Sequence, residues 1–164
     1  MDNQIYGLTK GQVSPTSPFA DMTLSSMYGS IDGPLNPVSL LLNYGATFIA
    51  RGFAGDVKHL AGMIVQAVQH RGFAFVHILS PCVTYRGKEE HGRIRDAAVY
   101  LDESYDYTDK FKAFGVSEEV GRISLGLIYK TDRPTYTDRL SQLREKAKQT
   151  GTYRVEEIVE HFLP

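Results

Sequence analysis

The first twelve residues hold a dense group of chemically capable side chains. The segment NQIYGLTKGQ, residues 3–12, sets an amide, a hydroxyl and an amine beside two glycines. The amide oxygen of Asn3 is a hard ligand that suits Mg²⁺, and a turn would bring the main-chain carbonyl of Ile5 to the same ion. Gly7 and Gly11 permit close approach of the backbone to a phosphate. A plain turn has the same composition, so both interpretations stay open.

Cys82, in the sequence SPC, is the single cysteine of the chain and follows an apolar run. One cysteine forms no internal disulfide and completes no thiolate metal or cluster site without ligands from elsewhere. In open parallel sheets, ligands bind beyond the carboxyl ends of the strands, so the position of Cys82 suits a ligand to a shared metal or cluster site. The alternative is a small buried apolar residue, the commoner role of a lone cysteine.

None of the five histidines has a spacing that suits a metal site or a catalytic triad. His59 and His70 share one face of a predicted helix but lie eleven residues apart, which is about three turns. His77 falls within an apolar strand and is predicted to be a satisfied core residue. His91 lies in a charged segment and His161 near the C-terminus.

The elements that must hold these residues follow a strand–helix–strand pattern. A short helix is predicted over 37–44, and a strand follows over 46–51. The most regular helix is predicted over 56–70, with Asp56 as its N-cap. The run FAFVHIL over 73–79 is typical of a strand buried on both faces of a parallel sheet. The apolar positions of the regular helix, which follow the 3.6-residue period, are Val57, Leu60, Ala61, Ile64, Val65 and Val68.

The second half of the chain is less regular. A polar stretch over 86–95 is predicted to interrupt the pattern as a solvated loop. A short helix is predicted over 109–114 and a strand over 123–130. Thr135 begins a further helix as its N-cap, and a last helix is predicted over 155–162.

These elements predict the α/β class, with a partial doubly wound, mostly parallel sheet. One domain is expected over 1–164, with a loop region over 1–37 in front of an α/β core and C-terminal helices over 38–164. About three strands are visible, fewer than the usual five or six. The fold is therefore expected to be incomplete on its N-terminal side.

The composition is that of an ordinary globular protein, with 42% hydrophobic and 23% charged residues. The net charge of −1 gives no global reason to expect nucleic acid or an acidic membrane as a partner. No apolar run reaches the length that spans a bilayer, and the N-terminus lacks a signal pattern. A cytoplasmic protein with no membrane partner is predicted.

Four segments occur in the order in which a known family carries them: DNQIYGLTKGQVSPTSP, GDVKHLAGMIVQAVQHRGFAFVHILSPCVTY, YDYTDKFKAF and ISLGLIYKTDRPTY. The first resembles the thiamine diphosphate loop of the β subunits of 2-oxoacid:ferredoxin oxidoreductases, especially the 2-oxoglutarate-type enzymes. The others are similar to the helix–strand–cysteine segment and the C-terminal section of those subunits. The resemblance covers most of residues 2–137 and implies the C-terminal part of a thiamine-diphosphate-binding fold.

The resemblance implies a role for individual loop residues. Asn3 would supply the side-chain ligand, and Ile5 the main-chain carbonyl, of the Mg²⁺ that bridges the cofactor's diphosphate. Leu8 and Lys10 would lie toward the reacting end and influence recognition of the 2-oxoacid or coenzyme A. The other residues implied to bind the cofactor or shape its loop are Tyr6, Gly7 and Thr9.

The same resemblance implies a reaction and its partners. Cys82 would be the fourth thiolate of a [4Fe–4S] cluster that passes electrons to ferredoxin. The family reaction is oxidative decarboxylation of a 2-oxoacid, with coenzyme A as acyl acceptor and thiamine diphosphate as electron sink. The implied protein partner is the α subunit, and which 2-oxoacid is used (2-oxoglutarate, pyruvate or others) stays open.

Several family features do not occur in this sequence. The GDG segment with the other Mg²⁺ ligand is expected about 30 residues before Asn3, and the three further cluster cysteines are expected upstream as well. The chain therefore resembles the C-terminal half of a β subunit and is expected to be inactive alone. An alternative is a non-catalytic α/β fragment that docks to a partner, and a third interpretation is a thiamine diphosphate decarboxylase without a cluster. A missing sheet edge would favour homo-oligomers or docking to a partner.

Overall fold

The structure is a computed structural model, and it describes residues 1–151 and 154–163. The chain divides into two compact units, Met1–Asp132 and Arg133–Pro164. The first unit contains the sheet and the long N-terminal loop. The expectation of one domain over 1–164 stays a prediction.

Four strands form one sheet in the order β2–β1–β4–β3. β1 pairs in parallel with β2, and β3 in parallel with β4, whereas β1 and β4 are antiparallel. The predicted α/β class with a mostly parallel sheet is therefore confirmed. The three predicted strands are present, and a fourth, β3, has too few residues to show a sequence pattern. The strands are β1 (Phe48–Phe53), β2 (Ala74–Leu79), β3 (Ala98–Tyr100) and β4 (Ile123–Lys130).

Two helices of the first unit begin at side-chain caps that the sequence predicts. The Asn36 side chain accepts hydrogen bonds from the amides of Val38 and Ser39 at 3.1 and 3.3 Å. Asp56 accepts one from the His59 amide at 3.1 Å. Both caps satisfy amides that the first turn of a helix leaves unpaired. The helices are α1 (Pro37–Asn43), α2 (Val57–Gln69), α3 (Val83–Ala97) and α4 (Lys110–Ser117).

The prediction of a solvated loop over 86–95 is wrong, because these residues belong to α3. Gly87, with φ of 72°, divides α3 into a first turn and a longer segment. Ile94 is the one residue of α3 that is fully buried among those described. A helix with so narrow an apolar face shows no hydrophobic period, and the run of charged residues on its solvent side resembles a loop.

Helices cover both faces of the sheet. α2 packs closely on one face beside Gly52, where an added Cβ atom would lie 2.6 Å from the Leu60 side chain. α1 and α4 pack on the other face, which carries alternate residues of β1 and β2. This second face holds the larger apolar cluster, made of Val38, Leu42, Ala46, Ile49, Ala113, Ile128 and Tyr129.

Two buried polar residues, Arg51 and His77, are register partners on that second face and separate its apolar residues. We call this pair the polar row. Along β1 the residues that share this face are Ile49, Arg51 and Phe53, since strand side chains alternate. Ile49 belongs to the larger cluster and Phe53 to a smaller one with Leu79, Ile94 and Leu125. Arg51 lies between them, and its register partner on β2 is His77. Both side chains are buried.

The apolar period of α2 does not separate its buried from its exposed positions. Leu60 is partly buried against the sheet, whereas Val65 and Val68 are 53% and 80% exposed. Apolar residues therefore occur on both sides of this helix. The exposed ones form the outer face of α2, which consists of Val57, Ala61, Ile64, Val65 and Val68.

The second unit contains α5 (Tyr136–Thr150) and α6 (Val155–Glu160). Thr135 begins α5 as predicted, and its hydroxyl accepts from the amide of Asp138 at 3.1 Å. The Asp138 carboxylate in turn accepts from the Thr135 amide at 2.9 Å, which completes a capping box. Within residues 1–151 and 154–163, no helix has both the length and the hydropathy needed to cross a bilayer.

Candidate functional site

The N-terminal loop begins as an extension of the sheet. The amide of Asp2 donates to the Ile78 carbonyl at 2.7 Å, and the Ser80 amide donates to the Asp2 carbonyl at 2.9 Å. These bonds pair Asp2 in parallel with Leu79 at the end of β2. Asn3 and the residues after it therefore lie beyond the carboxyl end of a parallel strand, where α/β sheets bind their ligands.

The side chain of Asp2 joins the loop to the polar row. Its carboxylate lies 2.9 Å from Nε2 of His77 and accepts from the Thr16 hydroxyl at 2.6 Å and from the Gln4 amide at 2.9 Å. Burial raises the pKa of Asp2, but the hydrogen bonds from His77, Thr16 and Gln4 outweigh it and hold that pKa below its usual value. The predicted core role of His77 is confirmed by its burial and by this bond.

Gln4 fixes the shape of the chain between Asn3 and Ile5. Its φ of 55° lies in the left-handed region, which non-glycine residues rarely adopt. Its carbonyl accepts from the Ser17 hydroxyl at 2.7 Å and from the guanidinium of Arg86. The turn at Gln4 is therefore held on both its amide and its carbonyl side.

Arg86 joins the loop to the first turn of α3. Its guanidinium forms a two-point ion pair with Asp21, with distances of 2.6 and 2.7 Å. The two side chains are 12% and 13% exposed, so the pair is largely removed from solvent. Because the main-chain amide of Arg86 also donates to the Cys82 carbonyl at 2.7 Å, one residue contacts the loop, Asp21 and the cysteine turn.

Residues 6–12 form a short hairpin. The Tyr6 amide donates to the Gln12 carbonyl at 2.9 Å, and the Gly11 amide donates back to Tyr6 at 2.8 Å. The tip between them is exposed, with Leu8 98% accessible to solvent. Lys10 adopts a φ of 76° at this tip. The predicted substrate-recognition residues Leu8 and Lys10 thus project away from the core.

The hairpin lies directly against Cys82. A Cβ atom added to Gly7 would lie 3.1 Å from the Cys82 sulfur, and one added to Gly11 would lie 2.9 Å from the Tyr85 ring. The thiol itself is partly exposed at the N-cap of α3, so it is not the buried apolar residue that the alternative interpretation requires. The structure therefore brings together the two segments that sequence analysis singled out.

The residues present can supply part of a metal site. Asn3 and Ile5 line the same cavity of about 390 Å³, between Ser14–Thr16 and Phe75–Ile78. An amide oxygen and a main-chain carbonyl beside a clamped turn suit a hard cation. Such a cation takes its remaining ligands from water and phosphate. Cys82 offers one thiolate. No group of three or more His, Cys, Asp or Glu side chains is placed to hold a metal ion within the described part of the chain.

Sequence reasoning missed the residues whose hydrogen bonds and ion pair hold the N-terminal loop in place. Asp21 and Arg86 lie outside the segments that carry the family resemblance, and Asp2 begins one of them without having been assigned a role. Arg86 lies 65 residues from Asp21 and 82 from Gln4, so no local pattern links them. The charged stretch around Arg86 was the one available signal, and it suggested a loop.

Two protein-family models match the chain in succession. Residues 1–78 match the C-terminal TPP binding domain of thiamine pyrophosphate enzymes. Residues 82–145 match the C-terminal part of the pyruvate ferredoxin oxidoreductase beta subunit. The boundary between the two matches falls next to Cys82, where the hairpin and α3 meet.

Curated relatives agree with these matches. The 2-oxoglutarate synthase subunit KorB of Methanocaldococcus jannaschii is 33% identical over 149 residues, which is 90% of this chain and 55% of the relative. The 2-oxoacid:ferredoxin oxidoreductase subunit beta of Saccharolobus solfataricus is 39% identical over 158 residues, 86% of this chain and 50% of the relative. The chain spans about half the length of the curated relatives it matches.

A solved structure shows the same fold. The 2-oxoglutarate:ferredoxin oxidoreductase from Magnetococcus marinus, determined with 2-oxoglutarate, coenzyme A and succinyl-CoA bound, superposes with a TM-score of 0.86 at 37% identity. The superposition covers 99% of this chain and 56% of the solved one. The loop, the sheet and α3 are therefore arranged as in that enzyme.

Proposed function

We propose that this chain supplies the C-terminal half of a β subunit of the 2-oxoacid:ferredoxin oxidoreductases and acts in the oxidative decarboxylation of a 2-oxoacid. Two family models that match it in succession and the names of its relatives support this proposal. The observation that carries the proposal is the contact between the hairpin at Gly7 and the Cys82 thiol. In this proposal the hairpin belongs to the cofactor loop and Cys82 is a ligand of the electron-accepting cluster, so the two would act side by side. The substrate favoured is 2-oxoglutarate, since several relatives and the solved structure carry that name.

The cofactor implied by the family match is thiamine diphosphate. When bound, it supplies the electron sink that lets a 2-oxoacid lose CO₂. In this proposal Asn3 and Ile5 hold a Mg²⁺ against the diphosphate, since both line one cavity next to the clamped Gln4 turn. Gly7 lets the backbone approach closely, and Tyr6 and Thr9 shape the loop around it.

The exposed hairpin tip gives the proposal its substrate contacts. Lys10 carries a positive charge at the tip, and both a 2-oxoacid and coenzyme A are anions. Leu8 offers an apolar surface that no other described residue covers, since it is 98% exposed. We assign these two residues to recognition of the 2-oxoacid or of coenzyme A.

Cys82 is proposed as one thiolate of a [4Fe–4S] cluster. The described residues provide no companion ligands, so the rest of the site would come from other polypeptide. Electron transfer to ferredoxin and the activity itself are therefore proposed for an assembly with an α subunit and with the remaining half of a β subunit.

The test is reconstitution of that assembly. The chain would be co-produced with an α subunit and with the N-terminal half of a relative's β subunit. Coenzyme A-dependent reduction of methyl viologen would then be measured with 2-oxoglutarate and with pyruvate. Turnover with either acid supports the proposal, and the ratio of the two rates assigns the substrate. An assembly that forms but never reduces viologen would favour the alternative of a non-catalytic docking fragment.

Two variants of that assembly separate the roles of the loop and the thiol. Asn3→Ala is expected to weaken binding of thiamine diphosphate, whereas Cys82→Ser is expected to abolish viologen reduction and leave cofactor binding intact. Asn43→Ala makes the same chemical change as Asn3→Ala at an exposed position at the end of α1, and serves as its control. Equal loss in both asparagine variants would show that the effect is not specific to the loop.

A further inference from the structure

Arg51 is a buried cation without an ion-pair partner among the residues that the structure describes. Its residue surface is 8% exposed, and its buried Nε–H donates no hydrogen bond to any described residue. It lies in the middle of β1, in the polar row that separates the two apolar clusters. Buried charges in folded proteins are paired or bound to a ligand, since an unpaired one is strongly unfavourable.

The two acids nearest to Arg51 are already engaged. Glu118 accepts hydrogen bonds from the Asn36 side chain at 3.0 Å and from the Ser39 hydroxyl. Glu119 accepts from the Ser124 hydroxyl at 3.0 Å and lies 4.0 Å from Arg122. Burial lowers the pKa of Arg51, and the more distant charges of Glu118 and Glu119 oppose that effect.

Arg51 lines a cavity, which we call the Arg51 cavity. Its volume is about 540 Å³, within the range of small-molecule sites. His77 lines it as well, and the Nδ1 atom of that ring is buried without a partner among the described residues. The Gln4 amide oxygen, also on this cavity, is buried and unpartnered in the same sense. Arg51, His77 and Gln4 thus line one cavity, and each has a buried polar atom without a partner among the described residues.

We propose that the Arg51 cavity binds a carboxylate group. A guanidinium presents parallel N–H donors that match the two oxygens of a carboxylate. A single negative charge suits this cavity because it already contains the acids Asp2, Glu118 and Glu119, which would repel a doubly charged phosphate. The Arg51 cavity shares Asp2, Gln4 and His77 with the cavity that Asn3 and Ile5 line. Asn3, Ile5 and the hairpin tip are not among its lining residues, and the inference does not depend on the proposed reaction.

The carboxylate can come from a free small molecule or from an acidic side chain of another polypeptide. Both sources present the same chemistry to Arg51. A small molecule is the source favoured here, because the cavity has the volume of a ligand site and is lined by the buried Arg51. The two sources are separated in the experiment.

The experiment follows the Arg51 Nε–H signal by NMR on the full chain labelled with ¹⁵N-arginine. Acetate, succinate and glutarate are titrated, with sodium chloride at equal ionic strength as a control. A saturable downfield shift of the Arg51 signal is expected with at least one carboxylate and none with chloride. Arg51→Lys, which keeps the charge and loses the fork of donors, is expected to weaken that binding by about tenfold or more. Arg93→Lys is the matched control, since Arg93 lines the same cavity but already binds Glu90 at 2.6 Å.

A second arm adds the α subunit and the N-terminal half of a relative's β subunit instead of free acids. If the signal shifts only in this arm, the contact is the same and a side chain supplies the carboxylate. No shift in either arm overturns the proposal, as does wild-type affinity in Arg51→Lys. Because the shift is measured on the wild-type chain, the test stands even where a variant fails to fold.

Discussion

Arg86 holds the N-terminal loop through an ion pair whose charges are mostly hidden from water. Arg86→Met would leave the Asp21 carboxylate buried without its partner. We expect it to lower the free energy of unfolding by about 3–5 kcal/mol, because an uncompensated buried charge is far costlier than the intact pair is stabilising. Urea denaturation of the full chain measures the change.

The double variant Arg86→Met with Asp21→Leu is the control for that prediction. It removes both charges, so it is expected to be more stable than Arg86→Met alone. The single variant Asp21→Leu completes the cycle. If the changes in unfolding free energy of the two single variants sum to that of the double variant, the two side chains, 2.6 Å apart, are not energetically coupled.

Asp2 should make the stability of the chain depend on pH. Its pKa in the folded state is held below the usual aspartate value. Its contribution to stability is therefore present above that usual value and is lost as the pH falls through the lower, folded-state pKa. Asp2→Asn is expected to lower the free energy of unfolding by about 1–2 kcal/mol at neutral pH, since three donors lose a charged acceptor.

The difference between Asp2→Asn and wild type should shrink as the pH falls below the ordinary aspartate pKa. Thermal melts of both proteins at a series of pH values test this. A difference that stays constant down to strongly acidic pH would contradict the assignment of Asp2 as the charged acceptor. Thr16→Val, which removes one donor and keeps the carboxylate, is the matched variant.

At the scale of residues, the sequence identified the groups that are proposed to bind a ligand and missed those that support them. Asn3, Ile5 and Cys82 were recognisable because their types and local spacing carry chemistry. Asp2, Asp21 and Arg86 were not, because their effect depends on contacts across more than sixty residues. The roles of the former as ligands stay predictions, whereas their convergence on one end of the sheet is a property of the structure.

Among the elements, α1 depends on a single side chain that serves two helices. Asn36 caps α1 with its oxygen, and its nitrogen donates to the Ser117 carbonyl at 2.7 Å and to Glu118 at 3.0 Å at the end of α4. Asn36→Ala removes both functions and is expected to lower the free energy of unfolding by about 1–2 kcal/mol.

Asn36→Asp distinguishes the cap from the link between the helices. Aspartate is as good an N-cap as asparagine in isolated helices, but here it loses the donor and faces the Glu118 carboxylate. It is therefore expected to be destabilising at neutral pH and to recover partly as the pH falls. Wild-type stability of Asn36→Asp would show that the contacts of Asn36 with the end of α4 do not contribute to the free energy of unfolding.

Elements with a strong local signal were predicted well, and those shaped by tertiary contacts were not. α2 follows from its cap and its period, and β2 from a continuous apolar run. α3 escaped prediction because its charged residues face water and one buried residue, Ile94, anchors it. The antiparallel pairing of β1 with β4 also left no trace in the sequence, since both strands are buried and apolar in either direction.

For the molecule as a whole, the described residues do not form a complete cofactor site. The chain offers Asn3 and Ile5 as neutral oxygen ligands, while the nearby Asp2 carboxylate is occupied by His77 and Thr16. We expect the 164-residue chain to bind thiamine diphosphate and Mg²⁺ with a Kd in the millimolar range, about −4 kcal/mol. Isothermal titration giving micromolar affinity would contradict this, as would a stoichiometric cluster reconstituted on the chain alone.

The outer face of α2 predicts association. This helix carries apolar residues on both sides, and such helices are normally covered on both. Because Val65 and Val68 are more than half exposed, we expect the isolated chain to form dimers or larger species through this face. Val65→Lys with Val68→Lys should shift it toward monomer in analytical ultracentrifugation.

Val120→Lys is the control for that experiment. Val120 is 97% exposed in the turn before β4, so a charge there tests the general effect of added lysine. A wild-type chain that sediments as a monomer at high concentration would show that the outer face of α2 does not cause association.

The contacts that shape the N-terminal loop join residues that the ribosome adds several seconds apart. Gln4 is clamped by Arg86, 82 residues later in the chain. At ribosomal rates of about 5–20 residues per second, Arg86 is added roughly 4–16 s after Gln4. During that interval the loop is a nascent segment with exposed apolar side chains such as Leu8 and Phe19. The turn at Gln4 therefore acquires this contact only after Arg86 has been added to the chain.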